Sequence, residues 1–187
     1  YRWTKGKKSN CNIKNIKEKF IAVIDFGIKN NILNLLSSYD YELLVFPLNF
    51  SMQTLFSLKP IGIFLSNGPG DPLATFEKYK DNFQELKNYK NPVFGICLGH
   101  QILSLIYDAK TEKMHHGHRG ANHPIKNRKN GKVEITVQNH GFVVSKRKFP
   151  NTLQVTHSSL FDGTIAGLKV KKKPFFSVQY HPESSPG

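Results

Sequence analysis

Cys97 lies in the run Gly95-Ile96-Cys97-Leu98-Gly99-His100-Gln101, with a glycine two residues to either side. An apolar, strand-like stretch from Pro92 precedes it and an amphipathic, helix-like stretch follows. A strand that turns into a helix within a residue or two forms a nucleophile elbow, with glycine where backbones must approach closely and the nucleophile at the apex. The sulfur then faces a helix N-terminus, where backbone N–H groups and the helix dipole favour a thiolate over a thiol. Attack on an electrophilic carbon is the chemistry expected. Read alone, Cys97 fits equally well as a small buried hydrophobe, the commonest setting of a free cysteine. A nucleophile needs a base.

Of eight histidines, His181 is placed best for that task. It follows the apolar run Phe175 to Tyr180, and in Tyr180-His181-Pro182-Glu183 a carboxylate stands two residues on. In an extended or turn conformation residues i and i+2 project to the same side. Glu183 can then hold one ring nitrogen and fix the tautomer while the other nitrogen serves the thiol. The turn Gly68-Pro69-Gly70 offers free backbone N–H groups for an oxyanion, and by elbow geometry the N–H of Leu98 is the second donor. His100 sits on the helix leaving the elbow and reads as structural. His115, His116, His118 and His123 are crowded, but their spacing matches no zinc-ligand pattern, so no metal site is expected.

The elements that must position these groups follow from hydrophobic periodicity. Phe20 to Phe26, Leu43 to Phe46, Ile61 to Leu65 and the stretch before Cys97 are short continuous apolar runs. Helical patterns over Ile28 to Tyr39, Ser51 to Leu58 and about Ala74 to Tyr89 separate them. Alternation of this kind predicts an α/β fold with a mostly parallel, helix-flanked sheet, whose site lies beyond the carboxyl ends of the strands. After about Lys110 the chain becomes β-rich, with runs at Val133 to Gln138, Phe142 to Val144, Leu153 to His157, Ile165 to Val170 and Phe175 to Tyr180. Residues 1–19 are polar and lack periodicity, which reads as a linker from an upstream domain; residues 20–187 read as one domain.

Composition narrows the function classes. The 187 residues suffice for one substantial core, and there is no apolar run long enough to span a membrane. Two cysteines, Cys11 and Cys97, make no disulfide framework. The formal charge of +14 invites a nucleic-acid reading, yet the basic residues fall in the lead segment and in expected loops, without interleaved aromatics. No nucleic-acid or membrane partner is expected. The richness in Lys, Asn, Ile and Phe is what AT-rich coding DNA would give, pointing to a plastid, a parasite or an AT-rich bacterium and so to a plastid stroma or a bacterial-type cytoplasm.

Taken together, Gly-Ile-Cys97-Leu-Gly-His-Gln and His181-Pro-Glu183 resemble the class I (triad) glutamine amidotransferases. Four further runs resemble the small subunit of carbamoyl-phosphate synthetase: residues 66–72 (SNGPGDP), 117–124 (GHRGANHP), 138–142 (QNHGF) and 159–164 (SLFDGT). The opening Asp25-Phe-Gly-Ile-Lys-Asn-Asn-Ile fits that subunit as well. The resemblance implies that Cys97, His181 and Glu183 form the triad and that Gly68 and Leu98 hold the oxyanion. It also implies that Gly68, Gly70, Leu98, Gln101, Asn139, Gly141 and Phe142 bind glutamine. No cofactor is implied for this chain; ATP and Mg belong to a large synthetase subunit, which would take the ammonia. The family's small subunit also has an N-terminal domain and a terminal helix that this sequence lacks, so weak glutamine binding is expected of residues 1–187 alone. Amidotransferases of anthranilate or GMP synthesis, a cysteine peptidase or γ-glutamyl hydrolase, and a basic binding module with a structural Cys97 remain the alternatives.

Overall fold

The apolar runs assemble into one eleven-stranded sheet in a computed structural model that describes residues 1–12, 16, 19–39 and 41–184. At its centre are five parallel strands, β3 (Phe20–Asp25), β4 (Glu42–Pro47), β5 (Gly62–Leu65), β6 (Val93–Ile96) and β11 (Phe175–Val178), in the order β4-β3-β5-β6-β11. Their continuous hydrophobicity has a simple cause. Helices cover both faces, so successive residues of one strand, pointing to opposite sides, are all buried. Ala22 and Ile24 pack into one core cluster and Val23 into the other.

Helix α1 (Asn30–Ser37) sends Ile32 and Leu33 into the cluster that holds Val23. On the opposite face lie α2 (Met52–Ser57), α3 (Pro72–Lys78), α4 (Lys80–Gln84) and the buried α5 (Leu98–Ile106). The helical pattern expected over residues 74–89 is in fact three pieces, because Tyr79 leaves helical geometry at φ −126°, ψ 25°. A short 3₁₀ turn at Glu85–Asn88 ends it.

Beyond β11 the sheet continues antiparallel through β10 (Ile165–Val170), β9 (Leu153–Ser159), β7 (Thr111–Asn127) and β8 (Val133–Val144). Strand β7 was not anticipated. Its Gly117 and Gly120 take positive φ, and its pairing with β8 shifts register twice, which erases the alternation that marks a strand. The lead segment also departs from the linker expectation. Strands β1 (Arg2–Thr4) and β2 (Lys7–Ser9) form a hairpin on the edge of β4, and Trp3 is buried at 7 % exposure. The buried Trp3, backbone pairing to β4 and the Arg2–Glu42 ion pair dock an otherwise polar segment. Residues 13–15 and 17–18 of that lead, and 185–187 at the other end, lie outside the described residues.

Candidate active site

The elbow is built by two close approaches. A side-chain carbon on Gly99 would overlap the Leu65 carbonyl oxygen, and one on Gly95 would sit 2.7 Å from the Gly99 oxygen. Only glycine lets α5 start so near β5 and β6. Cys97 is held between them at φ 54°, ψ −104°, a conformation unfavourable for any L side chain and typical of strained functional positions. Its N–H donates to Val178 O at 2.9 Å and its carbonyl accepts from the Gln101 N–H at 3.2 Å, so strand β11 and helix α5 pin it from either side.

That same strand delivers His181, the base expected from the sequence. In the parallel register Val178 is opposite Ile96, so the residues after both strands leave the sheet at one edge. His181 Nδ1 donates to Glu183 Oε1 at 2.8 Å, with both side chains buried. Lys29 Nζ lies 3.5 Å from the same carboxylate oxygen. Burial alone would raise the Glu183 carboxyl, but the hydrogen bond and charge of His181, with the charge of Lys29, hold it below the ordinary carboxylate range. Glu183 therefore accepts, and the proton on the imidazole is fixed at Nδ1.

The thiolate expected at rest does not form. Burial pushes the Cys97 thiol up to about 11, outweighing the Leu98 N–H and the Lys29 charge that draw it down; the Glu183 charge adds to the rise. A helix N-terminus favours an anion, but a cysteine at 6 % exposure loses more from lost hydration than the dipole returns. At rest Cys97 is a thiol, and to act as the nucleophile expected from the sequence it would have to hand its proton to a base.

Cys97 and His181 line one cavity of about 820 Å³, together with Gly68, Gly70, Gln101, Asn139, Gly141 and Phe142. Leu98 is not on the wall; its N–H points at the sulfur. Gly68 packs so tightly on the Phe26 carbonyl that no side chain fits, and Ser66 Oγ, accepting from the Phe26 N–H at 2.9 Å, fixes the same turn. Lys29, Arg119 and His140 also line the cavity. These three stand within runs that the sequence singled out, but only contacts across the sheet reveal that they share a cavity with Cys97.

The profile of the family described as glutamine amidotransferase class-I matches residues 22–187. The chain belongs to this family. It is 53% identical over 167 residues to the carbamoyl phosphate synthase small chain of Agrobacterium fabrum, covering 89% of this chain and 42% of that one. To the carbamoyl phosphate synthase small chain of Zymomonas mobilis it is 48% identical over 191 residues, covering 100% of this chain and 51% of that one. The chain thus spans about half the length of the curated relatives it matches. A crystal structure of a glutamine amidotransferase from Thermotoga maritima superposes with a TM-score of 0.67 at 16% identity, covering 88% of this chain and 76% of that one, a likeness of fold.

Several polar groups are buried at the cavity wall and just behind it. His118 contacts Gln138 Oε1 at 3.0 Å and Asp162 Oδ2 at 2.9 Å, and His140 contacts Gln138 Oε1 at 2.8 Å and Phe142 O at 2.9 Å. This network fastens the strand segment 138–142 beside the cavity. Among the described residues no cluster of three or more His, Cys, Asp or Glu side chains has metal-holding geometry. No helix among them is long and apolar enough to cross a membrane.

Proposed function

We propose that this chain hydrolyses glutamine to glutamate and ammonia, as the glutaminase part of a carbamoyl-phosphate synthetase whose large subunit consumes the ammonia with bicarbonate and ATP. The observation that carries the reading is one cavity lined by a strained Cys97 and by His181, with Glu183 paired behind the imidazole. The carbamoyl phosphate synthase small chains to which this chain is about half identical supply the synthetase.

The chemistry follows from the groups present. His181 Nε2 takes the Cys97 proton, and the sulfur adds to the side-chain carboxamide carbon of glutamine. The resulting oxyanion is held by the N–H groups of Gly68 and Leu98. Collapse breaks the C–N bond as His181 returns its proton to the departing ammonia, leaving a γ-glutamyl thioester. Water, deprotonated by His181, then releases glutamate and restores the thiol. Gly70, Gln101, Asn139, Gly141 and Phe142 would hold the amino acid end of the substrate. Lys29 supports the carboxylate that orients the base.

Glutamate release by the full-length chain, with and without the large subunit, tests the reading. Turnover by the wild type and none by Cys97→Ser is expected. No glutamine turnover in the complete complex, or turnover indifferent to Cys97→Ser, would sink it.

A further inference from the structure

Gln179 is the first residue past β11 and is 1 % exposed, yet its amide nitrogen has no hydrogen-bond partner. A buried donor left unmatched is unfavourable, so its retention calls for an acceptor that appears at some stage of function. The two ends of this amide are not interchangeable. Gln101 Nε2 donates to Phe142 O at 2.7 Å and to Gln179 Oε1 at 2.9 Å. A backbone carbonyl only accepts, which fixes the Gln101 amide, and the fixed Gln101 nitrogen in turn demands the oxygen of Gln179. Gln179 Nε2 is thereby turned away from Gln101 with its hydrogens unspent.

The neighbouring acceptor is the nucleophile. Cys97 N–H donates to Val178 O, the residue just before Gln179, so the two side chains leave adjacent backbones. The Gln179 amide is already one of the groups that draw the thiol down against burial.

We propose that Gln179 is a pre-oriented hydrogen-bond donor to the Cys97 sulfur, locked in its donating orientation by Gln101. The proposal rests on the glutaminase reading of this site. In that reaction the sulfur is anionic twice. It is so first when its proton has passed to His181 before attack, and again when the C–S bond of the thioester breaks after water has added and the bonding pair returns to sulfur. A neutral resting thiol is a weak acceptor, which accounts for an Nε2 that makes no full hydrogen bond at rest, although Gln179 already draws the thiol down, and that engages fully on ionisation.

The test is the pH dependence of Cys97 alkylation by iodoacetamide in the full-length chain, read by mass spectrometry of the Cys97 peptide. Gln179→Met keeps the length and removes the donor; Gln179→Leu is a second variant should the first not fold, and thermal unfolding checks both. Loss of a hydrogen bond to a charged group is expected to slow alkylation about 10-fold at a fixed pH below the thiol midpoint, and to move that midpoint upward. With glutamine, kcat is expected to fall with KM little changed. Wild-type alkylation in a folded variant, or a rise in KM alone, would overturn the proposal. Alkylation needs no glutamine. A wild type that releases no glutamate would therefore defeat the functional reading while leaving this measurement intact.

Discussion

His181 Nδ1 and Glu183 Oε1 are 2.8 Å apart in a pocket that leaves their side chains 3% and 4% exposed. The pair is shielded from solvent and so is not weakened as an exposed ion pair would be. Glu183→Gln keeps the shape but withdraws the charge that stabilises imidazolium. The expected outcome in the full complex is a fall of about 10-fold or more in kcat for glutamine hydrolysis, while His181→Asn costs about 10²–10⁴-fold. Equal kcat values for Glu183→Gln and wild type would show that Glu183 does not act through the imidazole.

Acid should destabilise the fold well before its carboxylates titrate. Burial holds His100 down to about 3 and His140 down to about 4, the charge of neighbouring histidines adding to both. Folded values below the unfolded value of 6.5 mean that stability is fully present above pH 6.5 and is lost as pH falls toward the folded values. From pH 7 to pH 5 each histidine would remove up to about 2 kcal/mol. Urea midpoints measured at the two pH values check this, and a midpoint that does not fall would contradict it.

A second acid transition belongs to Asp162. Burial would raise its carboxyl, but hydrogen bonds from Thr164 and Ser159 and the His118 ring bring it down to about 2. Its contribution is present above its ordinary value of 3.8 and fades as pH falls toward 2. Asp162→Asn should therefore be less stable than wild type at pH 6 and approach it near pH 2. Parallel unfolding curves at both pH values would refute the assignment.

Gly99→Ala should be among the most damaging single-methyl additions. The new carbon would meet the Leu65 carbonyl, a backbone atom that cannot turn aside. Overpacking of this kind costs about 1–3 kcal/mol, and here it also displaces Cys97. Thermal unfolding and Cys97 alkylation should both change; a wild-type melting temperature would show that α5 can slide away from β5.

Trp3→Ala tests the edge hairpin. If Trp3 anchors β1 to β4, its removal destabilises by about 3–5 kcal/mol, as for other large buried side chains. A change of under about 0.5 kcal/mol, typical of an exposed site, would mean that the lead segment contributes nothing.

How much was legible in the sequence follows from the range of the interactions involved. The elbow showed itself because its constraint is local: Gly95 and Gly99 sit within two residues of Cys97, and their reason for being glycine is steric. His181 and Glu183 were legible for the same reason, as an i, i+2 pair that meets without help from elsewhere. Strand β7 was hidden because two register shifts break its alternation. Trp3 was hidden because nothing nearby tells an anchored tryptophan from a stray one. The protonation state of Cys97 was misjudged because the helix terminus is written in sequence whereas the depth of burial, which outweighs it, is set by the whole sheet.

Strand β11 lies between β6 and β10, near the middle of the sheet although late in the chain, and His181 and Glu183 follow directly from it. The strand that accepts the Cys97 N–H and leads into His181 therefore comes more than 70 residues after it in the chain. Until that strand is in place the backbone N–H of Cys97 has no Val178 carbonyl to donate to, and the edge of β6 stays open.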